Sequence, residues 1–407
     1  MQTFISFDEA LEIVLGQAQC LGSEQCSIDD ALGRILATDI KSEDNIPPFA
    51  SSAMDGYAVQ WQDTLEVGRE LTIVDHIPAG KISEIPLGAG QCARIMTGAP
   101  VPEGADAIIP REVATEKGSL VSFSSSAQKG KHIRPAAEDV RKGDLVFRRG
   151  IRITPPVIGM LATLGKSLVQ VVQKPEVVVF STGDEIVAPH ETPAAGQIRN
   201  SNGPTLRAQV LLAGGACSKY VHIPDDPKAI RKAIKDHASA DIMVFSGGVS
   251  VGDHDHVKPV LEGLGMELLF WKVRQRPGKP LAFGRLGNTL VLGLPGNPVS
   301  SSMCFMMYGQ PLIHACLGLE PVLSKTKFKG AEMAVLEHDV DKVENLHYFA
   351  RGIMEQQESG IQTVRLAGPQ GSNLFGSVVR ANCVVHLPEG TAVLQKGDFV
   401  GIERLGW

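Results

Sequence analysis

Ile242-Met243-Val244-Phe245-Ser246-Gly247-Gly248-Val249-Ser250-Val251-Gly252 is an apolar run that opens into a glycine-rich turn, with Asp253-His254-Asp255-His256-Val257-Lys258 directly behind it. The run has the length of a buried strand, and glycines after such a strand let backbone N–H groups approach a phosphate. Carboxylates just beyond the turn can hold the cation that neutralises that phosphate. A plain turn accounts for the same letters, since Gly-Gly after a strand most often marks nothing more. The Asp253 to His256 spacing matches no particular zinc motif, and carboxylates shared with phosphate and water suit Mg2+ better.

Working outward, the rhythm from residue 175 to 318 is strand, loop, helix: strand-like 177–180, a helix from Pro204 to about Ala213, another over 229–237, then the 242–245 strand. Alternation of this kind predicts a parallel α/β sheet, whose ligand crevice lies outside the carboxyl ends of its strands. The loops there are chemically loaded. Ser181-Thr182-Gly183-Asp184-Glu185 follows the first strand, either as a polar turn with a helix cap or as a carboxylate-bearing site. Asn200-Ser201-Asn202-Gly203-Pro204 precedes a helix whose free N–H donors can hold an anion, with Ser201 or Asn202 as an ordinary N-cap reading of the same residues. Asp225-Asp226-Pro227 is first of all a helix start, Asp before an N1 proline. Leu294-Pro295-Gly296-Asn297-Pro298-Val299-Ser300 is a loop stiffened by its prolines. Between these loops lie Lys272, Arg274, Arg276 and Lys279. On a regular strand the first three share one face, which is either solvated or the wall of a pocket for a multiply charged anion.

Elsewhere, Ser6-Phe7-Asp8-Glu9 is a capping-box pattern ahead of Ala10, Leu11, Val14 and Leu15 at helical spacing. From about 51 to 144, glycine and proline recur between short apolar runs, the texture of an inserted β domain. A short helix opened by Pro155 follows, and residues 319–407 hold β-like pieces such as 362–366 and 383–387, a β-barrel or sandwich. A chain of 407 residues is too long for one core, so about two to four domains are expected. The net charge of -6, with basic residues dispersed, argues against nucleic acid as a partner. The 7 cysteines are scattered without a Cys-x-x-Cys pair and read as reduced thiols. Asp8, Glu9 and Glu12 break any signal-peptide core, and no apolar run is long enough to span a membrane, so a cytoplasmic protein is expected.

Taken jointly and in order, Ser52-Ala53-Met54-Asp55-Gly56-Tyr57-Ala58-Val59, Arg94-Ile95-Met96-Thr97-Gly98-Ala99, Glu138-Asp139-Val140, Ser181-Thr182-Gly183-Asp184-Glu185, the glycine-rich turn, Pro277-Gly278-Lys279-Pro280 and Gly293-Leu294-Pro295-Gly296-Asn297-Pro298 carry a resemblance. The whole chain resembles the MoeA family of molybdopterin molybdenumtransferases, related to the E domain of gephyrin. The resemblance implies a multidomain α/β plus β fold: an elongated segment (1–45 with 145–174), an inserted β domain (46–144), a three-layer molybdopterin-binding α/β domain (175–318) and a C-terminal β-barrel (319–407). It implies a homodimer that inserts molybdate into adenylylated molybdopterin with release of AMP and Mg2+ as cofactor. Transient contacts with the molybdopterin adenylyltransferase and with apo-molybdoenzymes are implied as well.

By the same resemblance Glu185, Asp225 and Asp255 are the expected metal ligands and, with Asp55 and Asp139, the catalytic carboxylates. Substrate-binding positions carried over are Thr97, Ser181, Thr182, Gly183, Asn200, Ser246, Gly247, Gly248, Ser250, Lys272, Arg276, Lys279, Pro295, Gly296, Asn297 and Pro298. Asp55, Thr97 and Asp139 are expected to face the cleft across the dimer interface. The chain departs from the family at Ala50, where aspartate is frequent, at Arg276, where lysine is common, and at His256, which replaces an aromatic residue. Arginine keeps the charge and can grip an oxyanion through paired N–H groups. A scaffold protein and an adenylyltransferase are the competing functions; the acidic and cationic positions speak against the first, the extra β domains against the second.

Overall fold

The computed structural model describes residues 2–249, 255–319 and 332–406, so Ser250, Asp253 and His254 lie outside the described residues. The chain forms two compact units, residues 1–24, 33–35 and 171–407 in one and 25–32 and 36–170 in the other.

In the first unit a seven-stranded sheet runs in the order Gln2–Ile5, Glu267–Val273, Ala282–Leu286, Thr289–Leu294, Ile242–Ser246, Val177–Thr182, Tyr220–Ile223. The last four strands are mutually parallel. Ala282–Leu286 is antiparallel to both of its neighbours. The sheet is therefore mixed where the alternation of strand and helix predicts a parallel one. The cause is local: Gly287-Asn288 joins paired Leu286 and Thr289 in a two-residue hairpin, which forces reversal. The parallel strands read as unbroken apolar runs because helices cover them. Asn202–Leu212 packs with Pro298–Cys304, and Pro227–Asp236 with Val257–Gly263. Phe180, Ile230, Met243, Phe245, Val257 and Val291 are almost wholly buried in one cluster. Each such side chain contributes about 1.5–3 kcal/mol by leaving water.

Helix starts follow the sequence signals. Ser6 Oγ accepts from Glu9 N (3.3 Å) while the Glu9 carboxylate accepts from Ser6 N (2.8 Å), the reciprocal cap of Phe7–Gln17. Asp226 accepts from Ala229 N (2.9 Å) ahead of Pro227. The Asn202–Leu212 helix differs from expectation. It begins two residues before Pro204, and neither Ser201 nor Asn202 caps it; Asn200 Oδ1 accepts from Gly203 N (2.9 Å) instead.

The same unit ends in a closed barrel. His347–Gln356, Gln362–Leu366, Glu332–Leu336, Phe399–Arg404 and Cys383–Leu387 pair in turn, and the last returns to the first. Closure removes exposed strand edges, and Ala334, Leu336, Val364, Val385 and Ile402 fill the interior. The two-residue strand Gln275–Arg276 adds in parallel to His347–Gln356.

The second unit holds a six-stranded sheet in the order Ala107–Pro110, Gly56–Val59, Gln91–Ile95, Glu70–Ile77, Leu120–Phe123, Ala114–Lys117. Both faces are packed: Tyr57 and Val59 enter one cluster, and Ala58 enters the other with Ile77, Ala93 and Ile108. Among the described residues no helix is long and apolar enough to cross a membrane.

Candidate functional site

A cavity of about 290 Å³ opens at the carboxyl ends of the parallel strands, lined among others by Thr182, Glu185, Asp225, Gly247, Asp255 and Asn297. Gly183, Gly248, Pro295 and Gly296 also reach it. The Val177–Thr182 strand runs on through Ser181 and Thr182, which the sequence reading places on a turn. Thr182 Oγ1 is consequently buried at the cavity and has no hydrogen-bond partner among the described residues. Gly247 adopts φ +101, and a Cβ there would lie 2.8 Å from Thr182 Oγ1, so only glycine lets the turn pack this closely on that strand end.

Asp225 is held above the usual carboxylate range by burial first and then by the neighbouring Asp184 and Glu185 charges. Its backbone N–H donates to Asp184 Oδ1 (3.1 Å), which fixes the two loops together. Crowded oxygens of this kind favour a bound cation. Among the described residues no group of three metal-binding side chains stands ready to chelate an ion alone. That donor set fits Mg2+, which keeps several waters and completes its shell with phosphate oxygens.

A second cavity, also about 290 Å³, adjoins the first through Pro280, Pro295 and Asn297. Its wall carries Arg276, Lys279, Ser300, Gln370 and Ser372, so cations and neutral donors replace the carboxylates of the first. Arg276 lies over the Tyr348 ring (5.4 Å) and donates to the Tyr348 hydroxyl (3.2 Å), and Lys279 Nζ sits 4.8 Å above the Phe4 ring. Aromatic faces thereby hold the cations without neutralising them.

Lys272, Arg274 and Arg276 do not share a face. Lys272 has φ +67, which breaks the strand alternation, and its ammonium lies 3.9 Å over the Trp271 ring. Arg274 pairs with Glu389 (3.1 Å) and donates to the Phe4 carbonyl (2.9 Å).

Several expected site residues support the cavities from behind. Asn200 Nδ2 donates to Ser181 Oγ (2.7 Å); Asn202 Nδ2 donates to Ser246 Oγ (2.8 Å) and to the Gly296 carbonyl (2.7 Å). Pro298 opens the helix behind Asn297. Gln370, Ser372, Ser300 and Arg351 are residues that the sequence reading missed. Arg351 is buried and donates to Ser377 Oγ (3.1 Å) and the Gly371 carbonyl (3.2 Å), while Gln370 Oε1 accepts from Arg351 N (2.9 Å). Burial, and next the Arg276 charge, lower the Arg351 guanidinium to about 10, which leaves it charged at neutral pH. The turn-rich run Gly368-Pro369-Gln370-Gly371-Ser372 is the signal that marks this loop.

In the second unit Asp55 and Thr97 meet: Asp55 Oδ1 accepts from Thr97 N (2.8 Å) and Thr97 Oγ1 (2.7 Å). The backbone bond and then the hydroxyl hold the Asp55 carboxyl below its ordinary value. Thr97→Val removes only the hydroxyl, so the Asp55 pKa is expected to rise part of the way back, read by carboxyl NMR titration; an unchanged value would contradict the pairing. Asp139 is exposed, with its N–H on the Ile46 carbonyl (3.0 Å).

An α/β domain with neighbouring acidic and cationic cavities, continued into a barrel, defines a ligand-binding enzyme core. Three family models match the chain: MoeA N-terminal region (domain I and II) over residues 5–165, probable molybdopterin binding domain over 178–315, and MoeA C-terminal region (domain IV) over 333–405. The chain is similar to the molybdopterin molybdenumtransferase of Haemophilus influenzae, 37% identical over 94% of this chain and 93% of that one. It is similar to that of Bacillus subtilis at 35%, over 98% and 94%. The structure of the molybdopterin biosynthesis MoeA protein from Pyrococcus horikosii superposes with a TM-score of 0.83 at 30% identity, over 99% of this chain and 100% of that one. The chain belongs to the MoeA family of molybdopterin molybdenumtransferases.

Proposed function

We propose that this protein is a transferase of molybdenum cofactor biosynthesis that takes adenylylated molybdopterin and molybdate, places molybdenum on the dithiolene and releases AMP. The observation that carries this reading is the junction of an acidic and a cationic cavity at Pro280, Pro295 and Asn297. A tetrahedral dianion suits Arg276 and Lys279 beside the hydroxyls of Ser300 and Ser372. The phosphoanhydride suits the first cavity, where the Gly247-Gly248 turn lies opposite Glu185, Asp225 and Asp255, the carboxylates that would hold Mg2+. When bound, that ion stabilises charge developing on the phosphate oxygens. The balance is simple: the dithiol displaces one molybdate oxygen as water, and a water cleaves the anhydride to free AMP.

The reading extends to the elongated segment, inserted β domain, molybdopterin-binding domain and barrel named above, with residues 2–17 counted with the molybdopterin-binding sheet they pack on and not with the elongated segment, and to a cytoplasmic homodimer. In that dimer Asp55, Thr97 and Asp139 complete the cleft across the subunit interface, and Lys272 adds charge near the oxyanion. The dimer hands its product to apo-molybdoenzymes after meeting the adenylyltransferase.

Purified protein incubated with adenylylated molybdopterin, Mg2+ and molybdate should release AMP only when molybdate is present, and the product should activate an apo-molybdoenzyme. AMP release indifferent to molybdate would overturn the reading.

A further inference from the structure

Beneath the cationic loop runs a buried polar chain that none of the roles above explains. Gln275 is 1% exposed and Tyr308 is fully buried. Tyr308 Oη donates to Gln275 Oε1 (2.5 Å), and Gln275 Nε2 donates to the Gly278 carbonyl (3.2 Å) and towards Cys304 Sγ (3.3 Å). One carboxamide thus ties three things together: a helix, the loop backbone two residues past Arg276, and the thiol against which Gly278 packs. Pro277 and Gly278 are themselves buried, while Arg276 and Lys279 on either side are exposed to the cavity.

Tyr308 reaches Gln275 through an irregularity. The helix runs as Pro298–Cys304, then a π-helical turn Phe305–Gly309, then Gln310–Cys316. Pro311 follows at once; it lacks the N–H that would bond the Met307 carbonyl and crowds that carbonyl, so a regular α-turn is disfavoured there. A π turn is rare, occurs mostly as a single turn inside an α-helix, and is frequent at functional sites. Its effect here is to seat the Tyr308 hydroxyl against a buried acceptor. The Tyr308 ring is packed edge-on against Phe7 (5.7 Å), which stops the side chain from swinging away.

We propose that Gln275 and Tyr308 are positioning residues for the oxyanion: the helix, through its π turn, fixes the Gly278 carbonyl and so sets the spacing of Arg276 and Lys279. Tyr308 acts only through Gln275, and Gln275, which borders the cavity with 1% of its surface exposed, acts through the Gly278 carbonyl. The proposal rests on the reading of the cationic cavity as the molybdate site. A packing role alone would show in stability and nowhere else, whereas a positioning role also shows in affinity.

Calorimetric titration of molybdate into the full-length protein separates the two. Tyr308→Phe strands the Gln275 carbonyl oxygen without a partner; it is expected to lower the thermal midpoint and weaken molybdate binding about tenfold. Gln275→Leu with Tyr308→Phe removes the Tyr308–Gln275 pair but leaves the buried Gly278 carbonyl without its Gln275 donor, so the midpoint is expected to recover only in part. Its molybdate affinity should stay about tenfold or more below wild type, because the Gly278 carbonyl has lost its anchor. Wild-type affinity in Tyr308→Phe, or in the folded double variant, overturns the proposal while leaving the cavity assignment standing. Failure of the wild-type protein to bind molybdate overturns both.

Discussion

Glu185→Ala and Asp55→Ala should each depress molybdate-dependent AMP release by about a hundredfold or more, the scale for losing a group that holds or complements a catalytic cation. Neither change threatens the fold, because both side chains are exposed. Glu185 lines the acidic cavity of one unit, and Asp55 is pinned to Thr97 in the other. Mixing separates two designs. If each site draws on both subunits of a dimer, an equimolar mixture after subunit exchange should regain about a quarter of wild-type activity, since half the dimers carry one intact site. If each subunit is self-sufficient, no mixture recovers. Activity retained by either single variant would remove that residue from the machinery.

The second large effect is expected at Gly278. Its φ is +88, and a Cβ there would stand 2.0 Å from Cys304 Sγ. Gly278→Ala therefore combines a strained backbone with overpacking, and a loss of about 3 kcal/mol or more is expected in chemical denaturation. Oxyanion binding should fall with it, because the loop cannot keep its seat between Gln275 and the thiol. Adding Cys304→Ala makes room for the new methyl and should recover part of the stability, leaving only the backbone strain. No recovery would show that the contact with sulfur is not the cause.

Much of this was legible in the chain, and for identifiable reasons. The capping box at Ser6, the Asp226 start before Pro227 and the β pieces at 362–366 and 383–387 are local signals, set by a few residues and indifferent to context. The acidic cavity was legible because loops that follow parallel strands converge of necessity. What escaped was whatever depends on distant partners. Alternation of Lys272, Arg274 and Arg276 predicts a shared face, yet one positive φ at Lys272 and the pairing of Arg274 with Glu389 scatter them. Gln370 and Ser372 belong to the barrel region and carry no spacing that ties them to Arg276. Tyr308 reads as one more apolar helix residue until the π turn turns its hydroxyl to Gln275.

The short pairing of Gln275–Arg276 with His347–Gln356 has a thermodynamic meaning. Arg276 is at once a wall of the cationic cavity and an edge member of the barrel's hydrogen-bond ladder. Displacing the barrel would thus move a wall of that cavity. Linkage makes such coupling reciprocal: whatever factor a macromolecule gripping the barrel imposes on anion affinity, the anion imposes on that macromolecule.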